Sequence, residues 1–183
     1  MRRFILTGAP GSGKTAIIRQ LELDGFSVVE EAATDVITLE QARGVAEPWN
    51  RPSFIDLIAE LQRRRQIRAS LETDEVQFHD RSAICTAALA VYLGHPLSDV
   101  LSCELKRVET TAIYQKHVFF VQKLGFVTPT EARRISFEES LRFECVHEET
   151  YRNFGFEMIH IPPGNLLDRV DAIKRHVRPG QGS

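Results

Sequence analysis

Cysteine is scarce in this chain. Cys85, Cys103 and Cys145 are the only three among 183 residues, and none stands in CxxC spacing. An odd, scattered set gives neither a disulfide framework nor a thiolate zinc site; it reads as buried or idle thiols in a reducing compartment. No apolar run reaches the length that spans a bilayer. The first apolar strand starts at Phe4, too close to Met1 for a secretory leader, so the expected location is cytoplasmic. An excess of positive charge is also missing. Lys and Arg number 23 against 25 Asp and Glu, a net charge of −2, so no global basic field attracts nucleic acid. There is no internal repeat, low-complexity linker or DNA-binding motif. His79, His117, His147 and His160 lack metal-ligand spacing and read as structural. The fourth strand is followed by Gln122-Lys123-Leu124-Gly125 rather than N-K-x-D, which argues against a regulatory GTPase of the usual kind.

What is present is a phosphate loop. Gly8-Ala9-Pro10-Gly11-Ser12-Gly13-Lys14-Thr15 fits G-x-x-x-x-G-K-[ST] in full. It follows the apolar run Phe4-Ile5-Leu6 and precedes Ala16-Ile17-Ile18-Arg19-Gln20-Leu21, a helix start. Strand, glycine loop and helix together distinguish a working phosphate loop from a chance match. Glycines let backbone N–H groups turn around an anion, and the helix N-terminus adds partial positive charge. In this pattern Lys14 reaches the β and γ phosphates and the Thr15 hydroxyl sits on Mg²⁺.

Hydrophobic residues make up 43% and charged residues 26%, ordinary for one soluble domain. Strand-like and helix-like segments alternate. Strands are expected at Phe4–Leu6, Phe26–Val29, Val76–His79, His117–Val121 and Phe156–Ile161. Helices are expected from Glu31 to about Arg43, from Phe54 to about Leu71, around Ile84–Val91, after a Ser98 N-cap, at Phe137–Phe154 and at Leu166–Val177. Gly44 to Pro52 reads as a loop. Such alternation implies an α/β fold with a mostly parallel sheet and right-handed crossovers. Ligands then lie beyond the carboxyl ends of the strands. A single domain over residues 1–177 is expected, with an arginine-bearing lid at about 125–137 and a mobile tail at 178–183.

That rule selects the remaining candidates. Asp80-Arg81-Ser82 directly follows the third strand. Asp80 there would hold Mg²⁺ through water or bind an acceptor hydroxyl, and Arg81 would bind an anionic or sugar-bearing substrate. The plainer reading is a helix N-cap at Asp80 or Ser82. The strand before them carries Gln77 and His79, which is polar for a metal-acid strand. Glu30-Glu31 follows the second strand, where a carboxylate would act as general base or simply complement a helix dipole; the sequence does not choose between the two glutamates. Arg133 and Arg134, after the fourth strand, suit a closing lid that neutralises phosphoryl charge, with Arg142 a weaker candidate. Arg63, Arg64, Arg65 and Arg68 are spread around a helix and read as a solvated, acid-paired face. Trp49 reads as a packing anchor.

The ordered set formed by Gly8–Thr15, Val28-Val29-Glu30-Glu31-Ala32-Ala33, Phe78-His79-Asp80-Arg81-Ser82, Arg133-Arg134-Ile135-Ser136-Phe137 and Tyr151–Phe156 with Ile161-Pro162 resembles a known group. It is similar to the small bacterial P-loop proteins of an AAA-labelled, nicotinamide-riboside-kinase-like family, from Phe4 to about Arg175. The resemblance implies a three-layer P-loop NTPase fold with a five-stranded sheet in the order 2-3-1-4-5. It also implies that Asp80-Arg81-Ser82 corresponds to an Asp/Glu-Arg element near the acceptor. The expected function is transfer of the γ-phosphate of ATP, with Mg²⁺, to a small hydroxyl-bearing acceptor such as a nucleoside or riboside. The alternative is an NTPase or switch that uses ATP or GTP and acts through a protein partner. The expected molecule is a monomer or a homodimer.

Overall fold

The computed structural model describes residues 1–8, 11–123 and 137–177; the lid expected at about 125–137 lies outside them but for its last residue, as do the tail expected at 178–183 and Ala9-Pro10. Five strands, β1 (Arg2–Thr7), β2 (Ser27–Val29), β3 (Val76–Asp80), β4 (His117–Val121) and β5 (Glu157–Ile161), form one sheet in the order β2-β3-β1-β4-β5. All four strand pairs are parallel. The order is the one the resemblance implies. Chain order reverses at β1, whose neighbours are β3 and β4, and this switch point places the crevice for a ligand at the carboxyl end of β1.

Alternation along the strands sorts side chains into two layers. On one face Phe4, Leu6, Phe78, Phe119 and Val121 pack against Ile17, Ile18 and Leu21 of α1 (Lys14–Leu23) and Val170, Ile173 and Val177 of α7 (Leu166–Val177). On the other, Ile5 and Val118 join the larger core. That core is built from α2 (Ala33–Ala42), α3 (Ser53–Ala69), α4 (Ala83–Leu93), α5 (Asp99–Thr110) and α6 (Phe137–Asn153). Helix α4 is alanine-rich and buried through Ala83–Ala88; small side chains let α3 and α6 approach it from both sides.

Local signals set several boundaries. Ser82 and Ser98 cap α4 and α5, their hydroxyls accepting from the Ile84 and Leu101 N–H groups at 3.3 and 3.1 Å. Gly94 ends α4 in the left-handed region at φ 72°. The segment expected as a plain loop contains a short 3-10 turn at Pro48–Asn50. Trp49 there packs against the larger core, as an anchor would.

The polar face of β3 is satisfied internally. Gln77 donates to Ser27 Oγ at 3.0 Å and to the Ala69 carbonyl at 3.1 Å, and its Oε1 lies 2.9 Å from His79 Nε2. His79 stacks edge-on against Tyr114, and burial, with Arg3 nearby, pushes its pKa down to about 3. Gln77 and His79 therefore serve the core, which leaves Asp80 at the strand end as the exit toward the crevice.

Candidate active site

The phosphate loop begins where β1 and β4 converge. A Cβ on Gly8 would stand 2.4 Å from the Val121 carbonyl oxygen, and its φ is 142°, so only glycine fits. Gly11 and Gly13 also have positive φ, 79° and 81°. Gly13 caps α1 without any side-chain hydrogen bond, leaving the first-turn amides available to an anion. Ser12 Oγ is buried and makes no hydrogen bond among the described residues. An orphan hydroxyl under uncapped amides fits a polyphosphate. Thr15 is exposed on the first turn.

Lys14 Nζ lies 3.2 Å from Asp80 Oδ1, both side chains buried. That oxygen makes no hydrogen bond among the described residues. Because Ser82 is the N-cap, Asp80 is not consumed by capping. Thr15 and Asp80 offer hard oxygens at one end of the sheet. They fit Mg²⁺, which is held by one or two carboxylates with substrate phosphates and water; no cluster of three metal-ligating side chains exists among the described residues.

Arg81 turns off the strand at φ 72°, unusual for a non-glycine residue, with its N–H donating to the Leu6 carbonyl at 3.0 Å. This bend drives a buried guanidinium back over β1. Its Nε donates to Glu31 Oε1 at 2.9 Å, its Nη2 to the Gly8 carbonyl at 3.1 Å, and its Nη1 lies 3.3 Å from His147 Nε2. Phe143 lies beneath it, 5.7 Å from ring centre to guanidinium carbon. Burial is the largest influence on Arg81 and would lower its pKa, but the acidic groups around it, Glu31 first and Asp80 among them, together outweigh burial and the pKa is raised.

The two glutamates point differently. Glu31 is nearly buried against Arg81 and accepts a second hydrogen bond, 2.7 Å, from Thr34 Oγ1. Glu30 is half exposed and pairs with Arg19 at 2.6 Å. Arg65 fixes the segment from α3, donating to both glutamate carbonyls and pairing with Asp35. Arg63 and Arg64 pair with Glu104 and Glu60. Arg63, Arg64 and Arg65 of the basic run are thus acid-paired, and Arg65 additionally supports the site.

The structure brings Gly8, Ser12, Gly13, Lys14, Glu31, Asp80 and Arg81 together at the carboxyl end of the sheet and sends Glu30 to the surface. Arg133 and Arg134 lie outside the described residues, as do Ala9 and Pro10; Arg142 is exposed on α6. Sequence reading took His147 as structural and gave Tyr151 no role at the site. His147 is buried; burial, then Arg81, lowers its pKa well below the ordinary value. Its Nδ1–H donates to the Phe143 carbonyl at 3.0 Å, so Nε2 is the acceptor facing Arg81. Tyr151 OH lies 2.9 Å from Ser82 Oγ and 2.8 Å from Cys85 Sγ. Phe143, His147 and Tyr151 stand four apart on one helix face, a spacing that was readable.

Several solved structures share this architecture. NadR protein in complex with NAD and AMP-PNP aligns with a TM-score of 0.70 at 18% identity, over 100% of this chain and 51% of that one. NadR in complex with NR aligns with a TM-score of 0.74 at 18% identity, over 100% and 54%. The deoxyadenosine kinase from M. mycoides, with products dCMP and dCDP, aligns with a TM-score of 0.62 at 12% identity, over 96% and 98%. The chain therefore spans about half the length of the NadR chains it matches. No curated protein matches it by sequence. No described helix is long and apolar enough to cross a membrane. Residues 3–169 match the family described as AAA domain, and on that match the chain belongs to this AAA domain family.

Proposed function

We propose that the protein is an ATP-dependent phosphotransferase that acts on a small hydroxyl-bearing acceptor of nucleoside or riboside type. The observation that carries this reading is the shared guanidinium of Arg81. One group holds both the Glu31 carboxylate and the Gly8 carbonyl of the phosphate loop, so a carboxylate is oriented at the edge of the loop that would present a phosphoryl group. A plain NTPase has no need of that pairing. Solved relatives of the same fold hold NR, AMP-PNP and deoxynucleotides, which agrees with the choice of acceptor class.

In this reading the loop amides and Lys14 bind the polyphosphate, with Ser12 as an additional donor. Thr15 and Asp80 hold Mg²⁺, which supplies neutralisation of the polyphosphate oxygens. Glu31 takes the proton from the acceptor hydroxyl as its oxygen bonds to the γ-phosphorus and the bond to ADP breaks. Arg81 fixes Glu31, and its own rotamer is set by His147. Arg133 and Arg134 are assigned the charge neutralisation of a closing lid.

The test is ADP release from Mg·ATP by the purified protein, with and without pooled nucleosides, ribosides and nucleoside monophosphates, beside a Lys14→Ala control. Release that rises strongly with one pool, and vanishes in K14A, is expected. Slow release indifferent to every pool would instead support an NTPase or switch acting through a protein partner.

A further inference from the structure

Arg169 lies on α7, and its side chain is only 4% exposed. Its Nη1 donates to the Ser12 carbonyl and its Nη2 to the Gln122 carbonyl, each at 2.8 Å. Its Nε is buried without a hydrogen bond, and no carboxylate pairs with it among the described residues. Burial lowers its pKa, and nothing nearby raises it; arginine nonetheless keeps its charge. A buried cation that two carbonyls alone answer among the described residues is costly, and burying such a charge without a counterion is unfavourable. Anchoring α7 does not require it, because Val170, Ile173 and Val177 already bury that helix against the sheet.

The geometry at Ser12 gives the arginine a different use. The peptide unit is planar and trans, so the Ser12 C=O and the Gly13 N–H point in opposite directions. With the carbonyl drawn to Arg169, the Gly13 N–H points away from it, across the loop backbone. The positive φ of Gly13 permits this orientation. The same guanidinium ties the loop to Gln122, the residue after β4, whose N–H bonds the Ile161 carbonyl at 3.0 Å. One side chain therefore sets the orientation of a loop peptide and references it to the ends of two strands.

We propose that Arg169 is a positioning residue of the phosphate loop: it holds the Ser12–Gly13 peptide so that its N–H faces a bound polyphosphate, and the polyphosphate supplies the negative charge that the buried guanidinium lacks. The proposal rests on the reading of Gly8–Thr15 as a polyphosphate site. It makes Arg169 part of polyphosphate affinity, independent of base or acceptor.

Titration calorimetry with Mg·ATP and with Mg·tripolyphosphate, on wild type, Arg169→Gln and Arg169→Lys, tests it alongside thermal melting of each free protein. Glutamine can still donate to one carbonyl, which guards against simple failure to fold, and lysine keeps the charge without the planar fork. The expected result is a loss of about tenfold in affinity for both ligands in R169Q, with part of it restored in R169K. A lowered melting temperature with both affinities unchanged would make Arg169 a structural latch and overturn the proposal. Loss for ATP alone would also overturn it, by moving the effect to the base. Wild type that binds neither ligand would remove the polyphosphate reading itself, whereas wild-type binding abolished by K14A and untouched by R169Q would remove only this inference.

Discussion

Two adjacent glutamates with different partners make the sharpest contrast in the molecule. Glu31 is held by Arg81 and Thr34, while Glu30 faces solvent with Arg19. General-base catalysis contributes roughly 10²–10⁴ in rate. Glu31→Gln is therefore expected to lower kcat by at least about a hundredfold with nucleotide affinity nearly kept, and Glu30→Gln to change kcat by less than about threefold, since exposed ion pairs contribute about 0–1 kcal/mol. Steady-state kinetics with the acceptor found in the pool assay decide it; equal effects of the two substitutions would withdraw the base from Glu31. Gly8 makes a second residue-scale case. Gly8→Ala puts a methyl 2.4 Å from the Val121 oxygen at a φ of 142°, and should cost about 2 kcal/mol or more. Urea denaturation of G8A checks this, and an unchanged midpoint would mean that the loop relaxes freely.

At the scale of elements, strands were legible because each carries its own pattern. His117–Val121 and the helix Leu166–Val177 fall where periodicity places them, and the others differ by a few residues at their ends. The loop motif was legible because its pattern is local, eight consecutive residues of the sequence. Contacts between distant elements were not. Nothing near Arg81 in sequence announces His147, 66 positions away, or near Ser12 announces Arg169, 157 positions away. Only the topology brings them together. Gln77 and His79 made the third strand look polar for a metal-acid strand; packing accounts for the two of them, since polar residues on a central strand are legible as polar but not as mutually bonded. Helix α6 illustrates the energetic side. Tyr151 ties it to the Ser82 cap and to Cys85, and Cys85 Sγ in turn lies 3.3 Å from Thr7 Oγ1 at the end of β1. Tyr151→Phe removes one buried hydroxyl from this cluster and should destabilise the fold by about 1–2 kcal/mol, read from the denaturant midpoint at constant m-value. A midpoint equal to that of wild type would show that the cluster adds nothing to the docking of α6.

Two histidines, His79 and His147, are buried among the described residues, and their protonation couples to folding at the scale of the whole molecule. His79 has a pKa pushed down to about 3, and His147 lies well below its ordinary value with Arg81 and Lys14 both facing it. In the unfolded chain each takes up a proton near pH 6.5, while the folded protein refuses it. Below that pH the unfolded state binds more protons, so stability rises with pH through this window and is lost as pH falls. Each histidine then contributes up to about 1.4 kcal/mol per pH unit. From about pH 7.5 to about pH 5.5 the pair should remove roughly 3 kcal/mol of folding free energy. His147→Gln keeps an acceptor for Arg81 but cannot titrate, so its stability should fall about half as steeply over the same range. Urea unfolding at several pH values compares the two slopes. Parallel curves for wild type and H147Q would mean that His147 is protonated inside the fold, which would set a second cation against Arg81 and undo the tautomer on which the Arg81–Glu31 arrangement depends.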